Sequence, residues 1–242
     1  DRKGIVWFTI AAREMVGRID PVSKESTLID LPDGESGGLA GGTQPYGIDI
    51  NPADGSIWYS RLFGDKIGRI DPDTLKVKEF DSPVRGPRRM RFNHLDGTLW
   101  LTGYSEGQLA RITTSANGFE SKVYALPEFA EGYGPAPYAL GVHPKTGDVW
   151  LNENMTDRFF RFIPGEERFV VYPVPLTGTY TRDFSFTEGG KACTSNNPLP
   201  MASLEGGVAE ILCIELMEEA PLSELGAYNP KTAEDEMDIT DT

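Results

Sequence analysis

The sequence predicts an all-β fold built from a repeated unit of short strands. A tryptophan recurs at one place in the unit, followed by a Gly-Arg-Ile-Asp-Pro-like run and an alternating apolar run. The four tryptophans of the chain all occupy this place, at positions 7, 58, 100 and 150, with spacings of 51, 42 and 50 residues. Repeats of roughly 40 to 50 residues with short alternating segments are typical of β-propellers, in which each repeat forms one four-stranded antiparallel blade.

The second repeat shows how the strands are arranged. The stretch "DGSIWYSRLFGDKIGRIDPDTLKVKEF" (54–80) opens with an Asp-Gly turn, which is a strong hairpin signal. The strand with Trp58 comes next, followed by KIGRIDP and KVKEF. Pro72 is expected to follow a strand end, because proline cannot donate a hydrogen bond to a neighbouring strand. We therefore interpret the stretch as strands b, c and d of one blade, with Trp58 packed between blades.

Strand a, the innermost strand of a blade, is predicted just before each later Trp strand. The segments with suitable alternation are PYGIDINP (45–52), PRRMRFNH (87–94), PYALGVHP (137–144) and TRDFSFTE (181–188). The predicted propeller spans 1–216, with blades near 1–35, 45–82, 87–127, 137–175 and 181–216. Because the chain opens within a blade, we expect five blades of a six- or seven-bladed ring, with the other blades upstream. A removed leader or a smaller ring is the alternative.

The charge of the chain restricts its partners. Its net charge is −14, and residues 215–242 hold nine acids and one lysine. We expect 217–242 to be an acidic, flexible C-terminal tail. A negative charge of this size disfavours nucleic acids and anionic membrane surfaces as partners. No apolar run approaches the roughly 18 residues that a membrane-spanning helix needs.

Two cysteines, Cys193 and Cys213, fall on predicted strands b and c of the last blade. Adjacent antiparallel strands bring two cysteines within disulfide range only if both side chains face the same way. The sequence leaves a disulfide and two free thiols open. A disulfide would indicate a periplasmic or secreted protein; free thiols would fit a cytoplasmic one.

The repeat, Trp followed by Phe, Tyr or Leu and then Thr or Ser, with GRIDP further on, resembles the streptogramin lyase family of virginiamycin B lyase-like propellers. Residues 4–175 carry the pattern closely, 181–216 loosely, and 217–242 do not carry it. The resemblance implies an enzyme that opens a cyclic depsipeptide by elimination at an ester. It also implies a His-Gly pair at the start of strand a, with the histidine as base near a magnesium ion. A Trp-x-Thr-Glu element at the end of strand b belongs to the same pattern.

This chain departs from the family pattern at the base. The positions that open strand a read Tyr46-Gly47, Arg88-Arg89, Tyr138-Ala139 and Arg182-Asp183. The two histidines, His94 and His143, fall in the turn at the other end of strand a, where we expect surface residues. Glu153 is the one acid at the family's Trp-x-Thr-Glu place.

A ligand site is predicted where the starts of strands a and the ends of strands b meet at one mouth of the central channel. The predicted mouth residues are Tyr46, Arg61, Arg88, Arg89, Tyr138, Glu153, Arg182 and Asp183. Asn196 and Asn197, beside an insertion in the last repeat, are secondary candidates. Arginines beside tyrosines favour an anionic or carboxylate-bearing small molecule, because a guanidinium pairs with a carboxylate through two hydrogen bonds. A structural network of arginines and acids that fills the channel is the alternative.

A metal ion is a further candidate for the mouth. Asn152, Glu153, Asn154 and Asp183 offer oxygen ligands of the kind that Mg²⁺ or Ca²⁺ prefers. Their spacing matches no metal motif, so neither ion is assigned as a cofactor.

Three functions follow from the sequence. The first is a lyase-like enzyme acting on an ester or lactone, in which Tyr46 or Tyr138 carries the proton, Glu153 is the acid and arginines stabilise enolate-type charge. The second is a non-catalytic propeller that binds a ligand or a partner protein, or that needs further blades to complete its ring. The third, a sugar-lactone hydrolase, requires a cage of acids and asparagines around a metal, for which the sequence shows no clear set.

Overall fold

The computed structural model describes residues 1–32, 42–115, 117–176, 178–196 and 210–216. Every regular element in these residues is a β-strand, and the strands form five antiparallel sheets. No helix in the described part is long and apolar enough to cross a membrane. The all-β prediction is therefore confirmed.

The sheets follow one another along the chain as blades, each numbered here from its innermost strand outwards. The first blade contains β1 (Val6–Ile10), β2 (Met15–Ile19) and β3 (Ser26–Asp30). The second contains β4 (Pro45–Ile50), β5 (Ile57–Arg61), β6 (Lys66–Ile70) and β7 (Val77–Asp81). The third contains β8 (Pro87–Phe92), β9 (Leu99–Gly103), β10 (Gln108–Thr114) and β11 (Phe119–Ala125).

The last two blades continue the pattern. The fourth contains β12 (Pro137–Val142), β13 (Val149–Glu153), β14 (Arg158–Ile163) and β15 (Arg168–Pro173). The fifth contains β16 (Phe184–Phe186), β17 (Ala192–Ser195) and β18 (Ile211–Ile214). In the described residues the first blade therefore has strands b, c and d, and the fifth has a, b and c. The predicted strand a of 181–188 is shorter than expected, since pairing starts only at Phe184.

Each tryptophan packs against the blade that follows it, as predicted. Trp58 shares a buried cluster with Met90 and Leu101 of the third blade, and Trp100 shares one with Leu140 and Phe160 of the fourth. Trp58 also stacks on Phe80 of β7, with the ring centroids 6.1 Å apart. The order of Trp, strand c and a terminal aromatic residue in the repeat thus builds the core between blades.

The arginine of the GRIDP-like run ties strand c to the turn between strands a and b. Arg69 pairs with Asp54 at 3.1 Å, and Arg161 pairs with Asp148 at 2.6 Å. In the first blade, for which the described residues include no strand a, Arg18 donates instead to the carbonyl of Pro72 at 3.3 Å. The arginine of the repeat is therefore structural.

The turn between strands a and b also explains one histidine. In this turn the Asn51 side chain accepts the N–H of Ala53, and the Asn93 side chain accepts the N–H of Leu95. His143 takes the same place in the fourth blade, where its Nδ1 accepts the N–H of Thr146 at 3.1 Å. His143 is only 8% exposed, so the prediction of a surface residue is wrong for it. His94 is exposed, as predicted.

The two cysteines face each other in the fifth blade. Cys193 on β17 lies directly opposite Cys213 on β18, and the two form a disulfide. The facing register settles the requirement that the sequence left open, namely that both side chains point the same way.

Candidate functional site

Three of the four described strands a start irregularly, and the irregularity positions several of the predicted site residues. The pairing of β4 with β5 shifts between Pro45 and Ile48, and β12 shifts against β13 between Pro137 and Leu140. The same shift occurs in β8 between Pro87 and Met90. Such bulges turn side chains out of the regular alternation. Tyr46, Tyr138 and the Arg88-Arg89 pair lie inside these three bulges.

Polar side chains on strand b hold the bulges in place. The Ser60 hydroxyl accepts the N–H of Gly47 at 2.9 Å and donates to the carbonyl of Arg88 at 2.7 Å. Asn152 on strand b of the fourth blade plays the same part. Its Oδ1 accepts the N–H of Ala139, and its Nδ2 donates to the carbonyl of Arg182. Each clamp therefore joins the strand a of its own blade to the next blade, at β8 for Ser60 and at the segment before β16 for Asn152.

Glycine is required at one of these bulges. A Cβ atom at Gly47 would lie 2.5 Å from the Arg88 carbonyl oxygen. No other residue allows the backbone of strand a to approach the next blade so closely. Gly47 therefore lets strand a approach the next blade closely, and this approach fixes the position of the neighbouring Tyr46 side chain.

At the starts of strands a, where the sequence predicts the mouth, arginines and tyrosines form an alternating stack, which we call the Arg–Tyr ladder. Arg88 lies over the Tyr46 ring at 4.7 Å and over the Tyr138 ring at 4.1 Å. Arg182 lies over the other side of the ladder, 5.0 Å from the Tyr138 ring and 4.3 Å from the Tyr180 ring. The order of the ladder is Arg89, Tyr46, Arg88, Tyr138, Arg182 and Tyr180, and Tyr104 joins it as a further ring against Arg88. Cation–π contacts with the tyrosine rings thus keep these guanidinium groups in place, a role that ion pairs with acids fill at other arginines of the chain.

The arginines of the mouth are short of acids. Among the residues that the structure describes, their ion pairs involve a single acid, Asp183, which lies 3.5 Å from both Arg89 and Arg91. Buried N–H donors on Arg88 (Nε), Arg89 (Nε) and Arg182 (Nη1) have no hydrogen-bond partner within the described part of the chain. Asp49, deeper on β4, is occupied by the backbone N–H of Phe92. The mouth is therefore positive and carries unused donors.

The two tyrosine hydroxyls of the ladder bond to each other. Tyr46 Oη and Tyr138 Oη are 2.8 Å apart, and Arg88 donates to Tyr46 Oη at 3.3 Å. Burial and the bond with Tyr138 raise the pKa of Tyr46. Burial also acts to raise the pKa of Tyr138, but hydrogen bonds from Tyr46 and Arg88 and the charge of Arg182 outweigh it, so this pKa is lowered. The surroundings therefore shift the pKa values of two chemically identical hydroxyls in opposite directions.

Arg61 does not belong to the ladder, although its position predicted it at the mouth. It is 1% exposed and enclosed between the first two blades. Its guanidinium pairs with Glu14 at 2.5 Å and with Glu79 at 2.9 Å. The sequence could not show this, because Glu14 lies one repeat earlier and Glu79 on strand d. Arg61 is a structural clamp.

Glu153 is likewise occupied by the fold. It is 1% exposed, and its carboxylate accepts the N–H groups of Met155 at 2.7 Å and of Thr156 at 2.8 Å. Arg158 lies 3.8 Å away. A carboxylate used by its own turn is not placed to act on a ligand, so the prediction of a catalytic acid at Glu153 does not fit the structure.

The secondary candidate Asn196 takes part in strand pairing within the fifth blade. The backbone N–H of Asn196 donates to the carbonyl of Glu210 at 3.0 Å, and its side chain accepts the N–H of Glu210. Asn196 thereby joins the end of β17 to the start of β18. Asn197 and the predicted tail of 217–242 lie outside the described residues.

Of the four oxygen ligands predicted for a metal, three are used by the fold, whereas the buried side chain of Asn154 has no hydrogen-bond partner among the described residues. Asn152 clamps the strands, Glu153 caps a turn, and Asp183 faces two arginines. In the described ranges, no three His, Cys, Asp or Glu side chains are grouped as metal ligands. This donor set does not fit the magnesium ion that the family resemblance implies.

Two ladder residues were missed by the sequence analysis. Tyr104 follows the end of β9, and Arg88 lies 4.4 Å from its ring. Tyr180 lies in the connection before β16, with a φ of 45°. Asp157 holds this connection by accepting the N–H groups of Gly178 and Thr179. Both tyrosines lie close in sequence to predicted mouth residues, and this closeness could have indicated that they belong to the site.

Comparison with known proteins gives one curated relative with a related sequence. Virginiamycin B lyase from Nocardia farcinica is 27% identical over 181 residues, which cover 63% of this chain and 60% of the relative. The chain therefore spans about three fifths of the length of the curated relative that it matches. No family model matches the chain.

Solved structures share the propeller fold. A catalytically inactive variant of virginiamycin B lyase from Staphylococcus aureus, solved with quinupristin, is 21% identical with a TM-score of 0.66, covering 86% of this chain and 65% of the other. A chain of a nidogen–laminin complex is 16% identical with a TM-score of 0.62, covering 82% of this chain and 69% of the other. The chain is thus a β-propeller that is similar in sequence and fold to virginiamycin B lyases, and its fold also occurs in propellers that are not lyases.

Proposed function

We propose that this propeller binds a small anionic or ester- or lactone-bearing organic molecule at the Arg–Tyr ladder of the channel mouth. The observation that carries the proposal is the set of buried, unpaired N–H donors on Arg88, Arg89 and Arg182, of which only Arg89 lies within ion-pair distance of an acid in the described residues. An anion would satisfy these donors and reduce the repulsion between the guanidinium groups. Because the arginines rest on tyrosine rings, they are already oriented for a ligand.

The proposed reaction of an ester- or lactone-bearing ligand is an elimination, in line with the lyase-like sequence and fold. A proton is removed from a carbon of the ligand, its electron pair forms a C=C bond, and the ester C–O bond breaks. The carboxylate that leaves takes the electron pair of that bond. Guanidinium groups stabilise such developing negative charge when they are held in place beforehand. In the ladder, the tyrosine rings hold the guanidinium groups in place before a ligand binds.

The disulfide supports an exported location. Cys193 and Cys213 form a disulfide in the fifth blade, and such bonds persist mainly in oxidising compartments. We therefore propose a periplasmic or secreted protein.

A second function, ligand or protein binding without catalysis, is favoured by the absence of a histidine at the starts of strands a. The similar fold in a nidogen–laminin complex belongs to a protein assembly. Binding at the ladder is common to both functions, whereas turnover of an ester is expected only for the first.

The experiment that tests binding is calorimetric titration with acetate and with inorganic phosphate. We expect the unmodified protein to bind at least one of them in the millimolar range or tighter, and Arg88→Ala with Arg182→Ala to abolish this binding. The matched control is Arg85→Ala with Arg168→Ala, which removes the same charge from exposed sites. If the unmodified protein releases no heat, or if the control loses binding equally, the ladder is not an anion site. Unfolding of the ladder variant would indicate the structural network instead.

A further inference from the structure

The two hydroxyls at the centre of the ladder differ in their surroundings. Tyr138 is 7% exposed, and its ring lies between the guanidinium groups of Arg88 and Arg182. Tyr46, on β4, contacts Arg88 and Arg89 and bonds to Tyr138 at 2.8 Å. Within a pair of hydroxyls that share one hydrogen bond, only one can act as donor to the other.

The elements around Tyr138 present mainly positive groups. Strand β8 contributes Arg88, and the connection before β16 contributes Arg182 and Tyr180. Strand β4 contributes the Tyr46 hydroxyl. The negative group of the region, Asp183, is engaged by Arg89 and Arg91 at 3.5 Å each. A phenolate on Tyr138 would therefore face two guanidinium groups and one hydroxyl donor.

We propose that Tyr138 is the group of this site that gives up its proton, while Tyr46 stays protonated and donates its hydroxyl hydrogen bond to the Tyr138 phenolate. This inference rests on the proposed function and assigns its proton acceptor. The contrasting pKa directions of the two tyrosines, down for Tyr138 and up for Tyr46, agree with the geometry.

The assignment gives the elimination a balanced proton transfer. The Tyr138 phenolate oxygen takes the proton from the ligand carbon and becomes a neutral hydroxyl. The C–H electron pair becomes the C=C bond, and the departing carboxylate keeps the electrons of the broken C–O bond. Arg88 and Arg182, which faced the phenolate, then face the carboxylate instead. The site therefore keeps one negative charge throughout, so the guanidinium groups need not reorganise.

The experiment is a spectrophotometric pH titration that follows the ultraviolet absorbance of tyrosinate, with no ligand present. We expect one tyrosine to ionise below the ordinary pKa of about 10, and this step to disappear in Tyr138→Phe. In Tyr46→Phe the step should remain and move to higher pH, because the phenolate loses its hydrogen-bond donor. Tyr133→Phe, which changes an exposed tyrosine, is the matched control and should leave the step in place.

The outcomes separate this inference from ligand binding. An unchanged low-pH step in Tyr138→Phe, or a step that disappears in Tyr46→Phe while Tyr138 is intact, overturns the assignment. Either result would leave anion binding at the arginines standing. Conversely, a step on Tyr138 in a protein that binds no anion would support the assignment and reject the proposed ligand site. If Tyr138 ionises and the ladder also binds anions, saturating inorganic phosphate should move the ionisation of Tyr138 to higher pH, because the bound anion offsets the arginine charge.

Discussion

At the scale of the residue, what surrounds a side chain decides its role more than its type does. Arg61 and Arg88 are both arginines near a blade edge, yet Arg61 pairs with Glu14 and Glu79, whereas Arg88 rests on tyrosine rings and keeps a free donor among the described residues. An arginine already neutralised by two acids has little affinity left for an anion. The ladder arginines have fewer acid partners among the described residues and therefore keep their affinity for an anion.

His143 gives a residue-scale prediction about stability. Its Nδ1 accepts backbone N–H groups as Asn51 and Asn93 do in earlier blades. We therefore expect His143→Asn to change the free energy of unfolding by less than about 1 kcal/mol, because asparagine keeps an acceptor in the turn. His143→Ala should lower it by roughly 1–3 kcal/mol, since the turn loses its acceptor and the buried ring no longer packs against Phe186. Urea unfolding of both variants checks this, and equal losses would show that the turn needs the imidazole itself.

At the scale of the element, strand identity could be predicted from the sequence but bulges could not. Alternation and the turn residues predicted strands b, c and d of the second blade, because a side-chain period of two is visible in a single segment. The shift between Pro45 and Ile48 depends on pairing with β5, which one segment does not reveal. The same limit explains why Arg61 was placed at the mouth, since its partners Glu14 and Glu79 lie in other segments. Glu153 was placed there because the sequence does not show that its carboxylate accepts backbone N–H groups of the turn that follows it.

The polar clamps on strand b give an element-scale prediction. Asn152 joins β12 to the segment before β16 through Ala139 and Arg182. Asn152→Ala would leave the buried N–H of Ala139 unpaired and remove one of the two donors to the Arg182 carbonyl, so we expect the free energy of unfolding to fall by about 2 kcal/mol.

The same variant should also weaken anion binding at the ladder, because Tyr138 and Arg182 would lose their fixed separation. Calorimetry with phosphate measures this effect. Asn117→Ala, which removes an exposed side chain, is the control and should alter neither quantity. Lower stability with unchanged anion affinity would mean that the clamp supports the fold but not the site.

At the scale of the whole molecule, the ladder is a positive mouth on a strongly negative protein. The net charge is −14, yet the mouth brings four arginines against Asp183. The propeller fold could be predicted because every blade repeats the same pattern. The ladder could be predicted only in part, because Tyr104 and Tyr180 enter it from connections outside the repeat pattern.

A whole-molecule prediction concerns the activity of the lyase relatives. The chain has no histidine at the starts of strands a, and the described donors do not form a magnesium site. We therefore expect this chain to open quinupristin no faster with magnesium than with a chelator. Chromatography with mass spectrometry measures this, since elimination leaves the mass unchanged and hydrolysis adds one water. Rapid magnesium-dependent opening without a mass change would show that the base and metal lie elsewhere.

Anomalous diffraction from a crystal soaked in selenate would show whether the Arg–Tyr ladder is an anion site. We expect an anomalous peak within hydrogen-bond distance of the guanidinium groups of Arg88 and Arg182, and no such peak in the variant with Arg88→Ala and Arg182→Ala. A map in which selenate occupies other surfaces while the ladder stays empty would contradict it.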